Sequence, residues 1–222
     1  MKENKFANLF PLGVHHHILR TNNPVNMFFE EVLPHYKDPN SFATAVEDKR
    51  LRLRPRELLG LCLMSIHAGA VTGVKWAPGT DPMGRDGLIM RVDETEHVKN
   101  YRSGLIIEQV FIPPHDKRDL TQAIIESIEL KSSRGHAYTD KMNLVVLVGK
   151  AGDFDVTKLI PVSAKTEFGA CYLFAMKEPM PFNYYAATLK APDDPMEYYS
   201  ITFDASNKSA SIMPKGRFVP IG

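Results

Sequence analysis

The sequence predicts an α/β or α+β fold, with a mixed central sheet, flanking helices and a β-rich C-terminal half. Three observations carry this expectation. Residues 84–148 read as hairpin, helix, strand, and the last piece, Leu144–Val148, is a continuous apolar run of the kind a strand covered on both faces requires. Residues 56–70 are apolar nearly all round, as a buried helix would be. Beyond Gly149 the apolar stretches become short and are separated by turn residues, the texture of successive strands.

The chain has 222 residues, enough to bury a large core in one domain. It divides into an irregular segment 1–54, an α/β core 55–150, and a β-rich extension 151–222 of the same domain. In the first segment Pro11, Pro24, Pro34 and Pro39 interrupt the chain, with a turn or two of helix expected from Asn26 to Leu33. His15-His16-His17 makes a poor native metal site, because adjacent side chains diverge in either a strand or a helix.

Arg50-Leu51-Arg52-Leu53-Arg54-Pro55-Arg56 alternates charge with leucine, so an extended chain here has one basic and one apolar face. The basic face is a solvated edge or a contact to phosphates, which guanidinium groups bind bidentately. Pro55 opens the buried helix, where its missing N–H costs nothing, and Glu57 in the first turn complements the helix dipole. Trp76–Gly84 reads as a loop. Strands follow at Leu88–Val92 and Leu105–Ile112, and Pro113-Pro114 stops the second. A helix over 117–134 carries Leu120, Ile124 and Ile128 on one stripe, with Gly135 as its stop. In the C-terminal part the expected strands are Leu159–Ser163, Ala170–Met176, Tyr184–Leu189, Tyr198–Phe203 and Ser209–Met213. Residues Asp204–Lys208 form a hairpin loop between the last two.

Composition bounds function only loosely. The net charge of +1 gives no global attraction to nucleic acid, so a polyanion site must be a local patch. Two cysteines, Cys62 and Cys171, in apolar surroundings exclude a disulfide scaffold and read as buried, reduced thiols. A thiol enzyme on Cys62 is disfavoured because no polar activator is adjacent. With no apolar leader behind Met1 and no stretch approaching the roughly 18 apolar residues of a membrane span, a soluble cytoplasmic protein is expected.

Two acids stand out. Asp86 opens one strand, and Glu108 lies inside the next, flanked by Leu105-Ile106-Ile107 and Val110-Phe111-Ile112. A carboxylate buried in such a strand needs a partner or a metal, whereas on a solvated face it is ordinary. Asp86-Gly87 is equally a common turn dipeptide. Two carboxylates on adjacent strands can converge on one Mg²⁺, which polarises a phosphate and lowers the pKa of the attacking water.

On these residues the chain resembles the PD-(D/E)XK, or restriction-endonuclease-like, nuclease superfamily. The loop Pro82-Met83-Gly84-Arg85-Asp86-Gly87 stands where the family's first acid would be. Ile107-Glu108-Gln109-Val110 stands at the (D/E)-X-K strand, and residues 117–134 and 143–148 match the next helix and buried strand. The resemblance covers roughly a third of the chain and implies Asp86 and Glu108 as metal ligands for Mg²⁺. It implies Glu57 as the helix acid that some members add. Val110 occupies the position of the family's lysine, and Lys131 or Lys117 on the following helix would have to replace it. DNA or RNA is the implied partner, with Arg50, Arg52, Arg54 and Arg56 on its backbone; a homodimer is compatible, and a membrane is not expected. Two alternatives stay open. One is an inactive member of the fold serving as a binding or assembly module, which Val110 favours. The other is an unrelated α+β protein with a small-molecule pocket lined by Trp76, Tyr184 and Tyr185.

Overall fold

The computed structural model describes residues 23–48, 53–79, 86–95, 98–139, 142–178, 180–190 and 197–217. Among these, eight strands form one mixed sheet whose spatial order follows the chain: β1 (Trp76–Gly79), β2 (Leu88–Thr95), β3 (Val98–Ile112), β4 (Met142–Val148), β5 (Ala170–Met176), β6 (Asn183–Lys190), β7 (Glu197–Asp204) and β8 (Ser209–Arg217). Every residue of β4 is buried, and β4 runs parallel to both neighbours. Parallel neighbours require crossovers rather than hairpins. Helices supply both: α4 (Leu120–Ser132) and the short α5 (His136–Thr139) between β3 and β4, then α6 (Val156–Ala164) between β4 and β5. All other pairings are antiparallel.

Alternation along β3 to β6 divides the core into two layers. On one face Ile107, Val145, Leu147, Phe174 and Tyr184 pack under α3 (Pro55–Thr72) and the N-terminal helices α1 (Pro24–Met27) and α2 (Pro39–Thr44). On the other, Leu144, Val146, Leu173 and Leu189 pack under α4 and α6. The expected turn of helix near Asn26 is present and longer. After α1 the chain winds through a π turn at Phe28–Val32 and a 3₁₀ turn at Leu33–His35. Phe28 stacks on Phe203 of β7 with centroids 3.7 Å apart, which anchors this segment to the sheet.

In α3 Pro55 occupies the first turn as expected. The Glu57 carboxylate accepts from the Arg54 N–H at 2.8 Å, and Gly73 closes the helix at φ 68°. Gly73 sits in the left-handed region, where glycine is favoured.

Two elements differ from expectation. Trp76–Gly79 is a strand, because residues 88–91 of β2 supply its ladder; Pro78 is tolerated on an edge strand. Residues 159–163 lie in helix α6. The Asp155 carboxylate caps it through the Thr157 N–H at 3.0 Å, and Leu159 and Ser163 face inward one turn apart. A short apolar run does not by itself distinguish strand from helix.

Boundaries also shift. Strand β2 reaches Thr95 and β3 begins at Val98, so both extend past the expected limits at Val92 and Leu105. Helix α4 begins at Leu120, where the Asp119 carboxylate accepts from the Gln122 N–H at 3.0 Å. The Asp204–Lys208 hairpin is present, with Lys208 at φ 48°. Both cysteines are buried and free. Among the described residues no helix is long and apolar enough to cross a membrane. His15–His17, Arg50, Arg52, Arg85 and Pro192–Pro195 lie outside the described residues.

Candidate functional site

The site begins where β2 stops pairing with β3. Their ladder has its final pair at Leu88 and Ile106, after which the Ile107 N–H donates to the Gly87 carbonyl at 2.9 Å. The next β3 residue with its N–H on that side is Gln109. That N–H donates to the Asp86 carboxylate at 2.7 Å, so a side chain takes the place of a backbone acceptor. Strand β3 continues to Ile112 with β4 on its other side. A cavity of about 420 Å³ opens beside this stretch. Its wall includes Arg54, Arg56 and Glu57 from the start of α3, Asp86, Gln109 and Phe111 from the sheet, and Lys131 from α4.

Period-two alternation sends Gln109 and Phe111 toward α3, and Glu108 and Val110 toward α4. Glu108 is only 4% exposed, which excludes the ordinary solvated reading of that carboxylate. Its partner is Lys131, whose Nζ donates to Glu108 Oε1 from the last turn of α4, and the Arg134 guanidinium follows at 3.8 Å. Lysine near a helix C-terminus also complements the helix dipole.

Asp86 is different: among the described residues no cation lies within ion-pair distance of it. Burial, then the negative charge of Glu108, pushes its carboxyl up to about 6, and Glu57 adds to the rise. The Gln109 N–H and the Lys131 charge act in the opposite direction. A carboxyl shifted this far toward neutrality in a cleft is a frequent mark of a functional site.

Asp86, Glu57, Lys131, Arg54 and Arg56 share one cavity, and Glu108 is joined to it through Lys131. Glu57 also fills the capping role, its carboxylate engaged with the Arg54 backbone and, at 3.8 Å, the Arg54 guanidinium. Arg56 donates to the Ala43 carbonyl and lies 5.8 Å from the Phe111 ring centre, tying α2 to α3 while lining the cavity. Val110, in the lysine position of the resembled motif, also lines it and brings no charge.

Trp76, Tyr184 and Tyr185 do not line this cavity. Tyr184 is fully buried and Tyr185 exposed, because consecutive strand residues point to opposite faces. The expected aromatic pocket is thereby not formed by these two together. Cys62 is completely buried, and burial drives its thiol well above the ordinary range, so it stays protonated.

Sequence reading missed Gln109 as a member of the site. Beyond its N–H bond to Asp86, its Nε2 donates to the Glu57 carbonyl at 2.9 Å and to the Asp86 carbonyl at 3.4 Å. The available signal was an amide inside an otherwise apolar strand, adjacent to an acid.

Among the described residues no group of three or more His, Cys, Asp or Glu side chains forms a metal cage. A Mg²⁺ site asks for less, namely one or two carboxylates completed by water and substrate phosphate. The crowded Asp86, Glu108 and Glu57 charges, of which, among the described residues, Glu108 alone has a close lysine, are a donor set that a divalent cation would relieve. Comparison with protein-family models and with curated protein sequences gives no match.

Proposed function

We propose that this site is a metal-dependent phosphodiesterase centre of the nuclease type, acting on a nucleic-acid backbone. The observation that carries the reading is the Asp86 carboxylate, bonded where β2 leaves β3 to the N–H of Gln109, the residue after Glu108, with Lys131 delivered to Glu108 from α4. Asp86 and Glu108 are the residues that would hold Mg²⁺. The ion would supply Lewis-acid polarisation of the phosphate and a more acidic water. Lys131 stands in for the lysine that Val110 replaces, and its ammonium orients the nucleophile and offsets developing negative charge. Arg54 and Arg56, in the same wall, hold phosphate oxygens. Nothing in this set selects DNA over RNA.

One observation favours a second reading, an inactive fold of the same type that serves as a binding module. Lys131 already neutralises Glu108 within the protein, so this acid needs no metal to be buried. Calorimetric titration of Mg²⁺ and Mn²⁺ separates the two readings. The wild type is expected to bind, and Asp86→Asn and Glu108→Gln are expected to lose the signal. A folded wild type that takes up neither ion at millimolar concentration overturns the catalytic reading and leaves the binding module.

A further inference from the structure

The first turn of α3 and the Asp86 loop are far apart in sequence, yet one side chain joins them. Gln109 is 7% exposed, and its amide nitrogen spans the Glu57 carbonyl at 2.9 Å and the Asp86 carbonyl at 3.4 Å. Its own backbone N–H holds the Asp86 carboxylate at 2.7 Å. The side chain fits because residue 60, one turn along α3 from Glu57, is glycine. A Cβ there would come 2.0 Å from the Gln109 amide oxygen and 2.9 Å from its Cδ. Glycine inside an α-helix is otherwise unfavourable relative to alanine, so this position calls for a packing reason. The close approach of the amide is that reason.

We propose that Gln109 is the positioning residue of the candidate centre, keyed into a notch at Gly60 and fastening Glu57 and Asp86 to β3. The assignment rests on the metal-site reading above for its functional meaning, while the clamp itself does not depend on it. An alanine at 60 displaces the flexible end of Gln109 rather than the helix. The cost is therefore the loss of two buried hydrogen bonds rather than an immovable overlap.

A cycle of Gly60→Ala, Gln109→Ala and the double variant tests this by three readouts. Thermal unfolding is expected to show a reversal of sign. Gly60→Ala lowers Tm in the wild type but raises it by about 2–4 °C when residue 109 is alanine, where only the helix preference for alanine remains. The same direction of change in both backgrounds overturns the notch.

Hydrogen exchange reads the positioning directly. Protection of the residue 109 amide, the donor to Asp86, is expected to fall about tenfold or more in each single variant, while the β4 amides stay protected. Unchanged protection overturns the clamp even if stability drops. Mn²⁺ titration supplies the third readout, with affinity expected to fall about 10-fold to 100-fold in Gln109→Ala, as when a group supporting a ligand is removed. Full Mn²⁺ affinity in Gln109→Ala overturns the positioning role. A wild type that binds no Mn²⁺ but shows the exchange and Tm signatures retains the clamp and removes the metal reading.

Discussion

The Asp86 carboxylate accepts the Gln109 backbone N–H at 2.7 Å, immediately beyond the last β2–β3 ladder pair. The same relationship explains the location and the electrostatics of the site. A side chain that continues a sheet edge is drawn out of solvent, and this one is drawn toward Glu108, so its ionised form is disfavoured.

Stability should therefore fall as pH rises through the interval from about 4 to 6. Folded Asp86 holds its proton up to about 6, whereas an unfolded aspartate releases it near 3.9. Between those values the folded state binds more protons, and by linkage the folded state weakens with increasing pH. The stability lost in this way is on the order of 3 kcal/mol above the interval. Urea unfolding from pH 4 to 8 is expected to show a component of this sign that disappears in Asp86→Asn. The variant should be the more stable protein at pH 7.

The Glu108–Lys131 pair gives the opposite pattern under substitution. Its side chains are 5% and 13% exposed, so removing either partner strands the other. Lys131→Met leaves the carboxylate with only the more distant Arg134 guanidinium, at 3.8 Å, as an ion-pair partner among the described residues and should cost about 3 kcal/mol. Glu108→Gln together with Lys131→Met should recover most of that loss, because a neutral pair carries no uncompensated charge. Denaturant midpoints of the two single variants and the double variant decide it.

Arg54 provides a test of the phosphate-contact reading that leaves the core alone. Its side chain is 47% exposed at the rim, whereas Arg56 is also bonded to α2. In oligonucleotide binding by anisotropy across a salt series, Arg54→Ala is expected to weaken all sequences alike. It should lower the slope of log K against log salt by about 0.7–0.9. An unchanged slope places Arg54 off the backbone.

What could be read from the sequence followed from short-range rules. Leu144–Val148 declared a doubly covered strand, and residues 56–70 declared a buried helix, because burial on all sides leaves no polar periodicity to misread. Glu108 could be identified as needing a partner from its apolar neighbours alone, but the choice between Lys117 and Lys131 depended on where α4 ends in space. Trp76–Gly79 escaped because its strand character comes from β2 and not from its own residues. The α6 assignment failed because five residues with a proline cannot distinguish period two from period 3.6. Gln109 escaped because its three bonds join residues 57, 86 and 109, which only the tertiary fold brings together.

Gly87 carries the last prediction, because local turn chemistry and the site meet there. The Asp-Gly dipeptide suggested a residue with positive φ, and Gly87 adopts φ 137°. A Cβ at this position would also meet Leu61 Cδ1 of α3 at 2.5 Å and the Gly79 carbonyl at 3.2 Å. Gly87→Ala therefore combines backbone strain with overlap against a completely buried leucine, a cost of about 2–4 kcal/mol. Relief requires residue 87 to move. Its carbonyl holds the Ile107 N–H and its neighbour Asp86 holds Gln109, so movement shifts the Asp86 carboxylate along β3. Urea unfolding should register the destabilisation, and Mn²⁺ titration at a temperature where the variant is fully folded should show weaker binding. A variant as stable as the wild type would mean that the β2–β3 junction adjusts freely, which a carboxylate held at 2.7 Å does not permit.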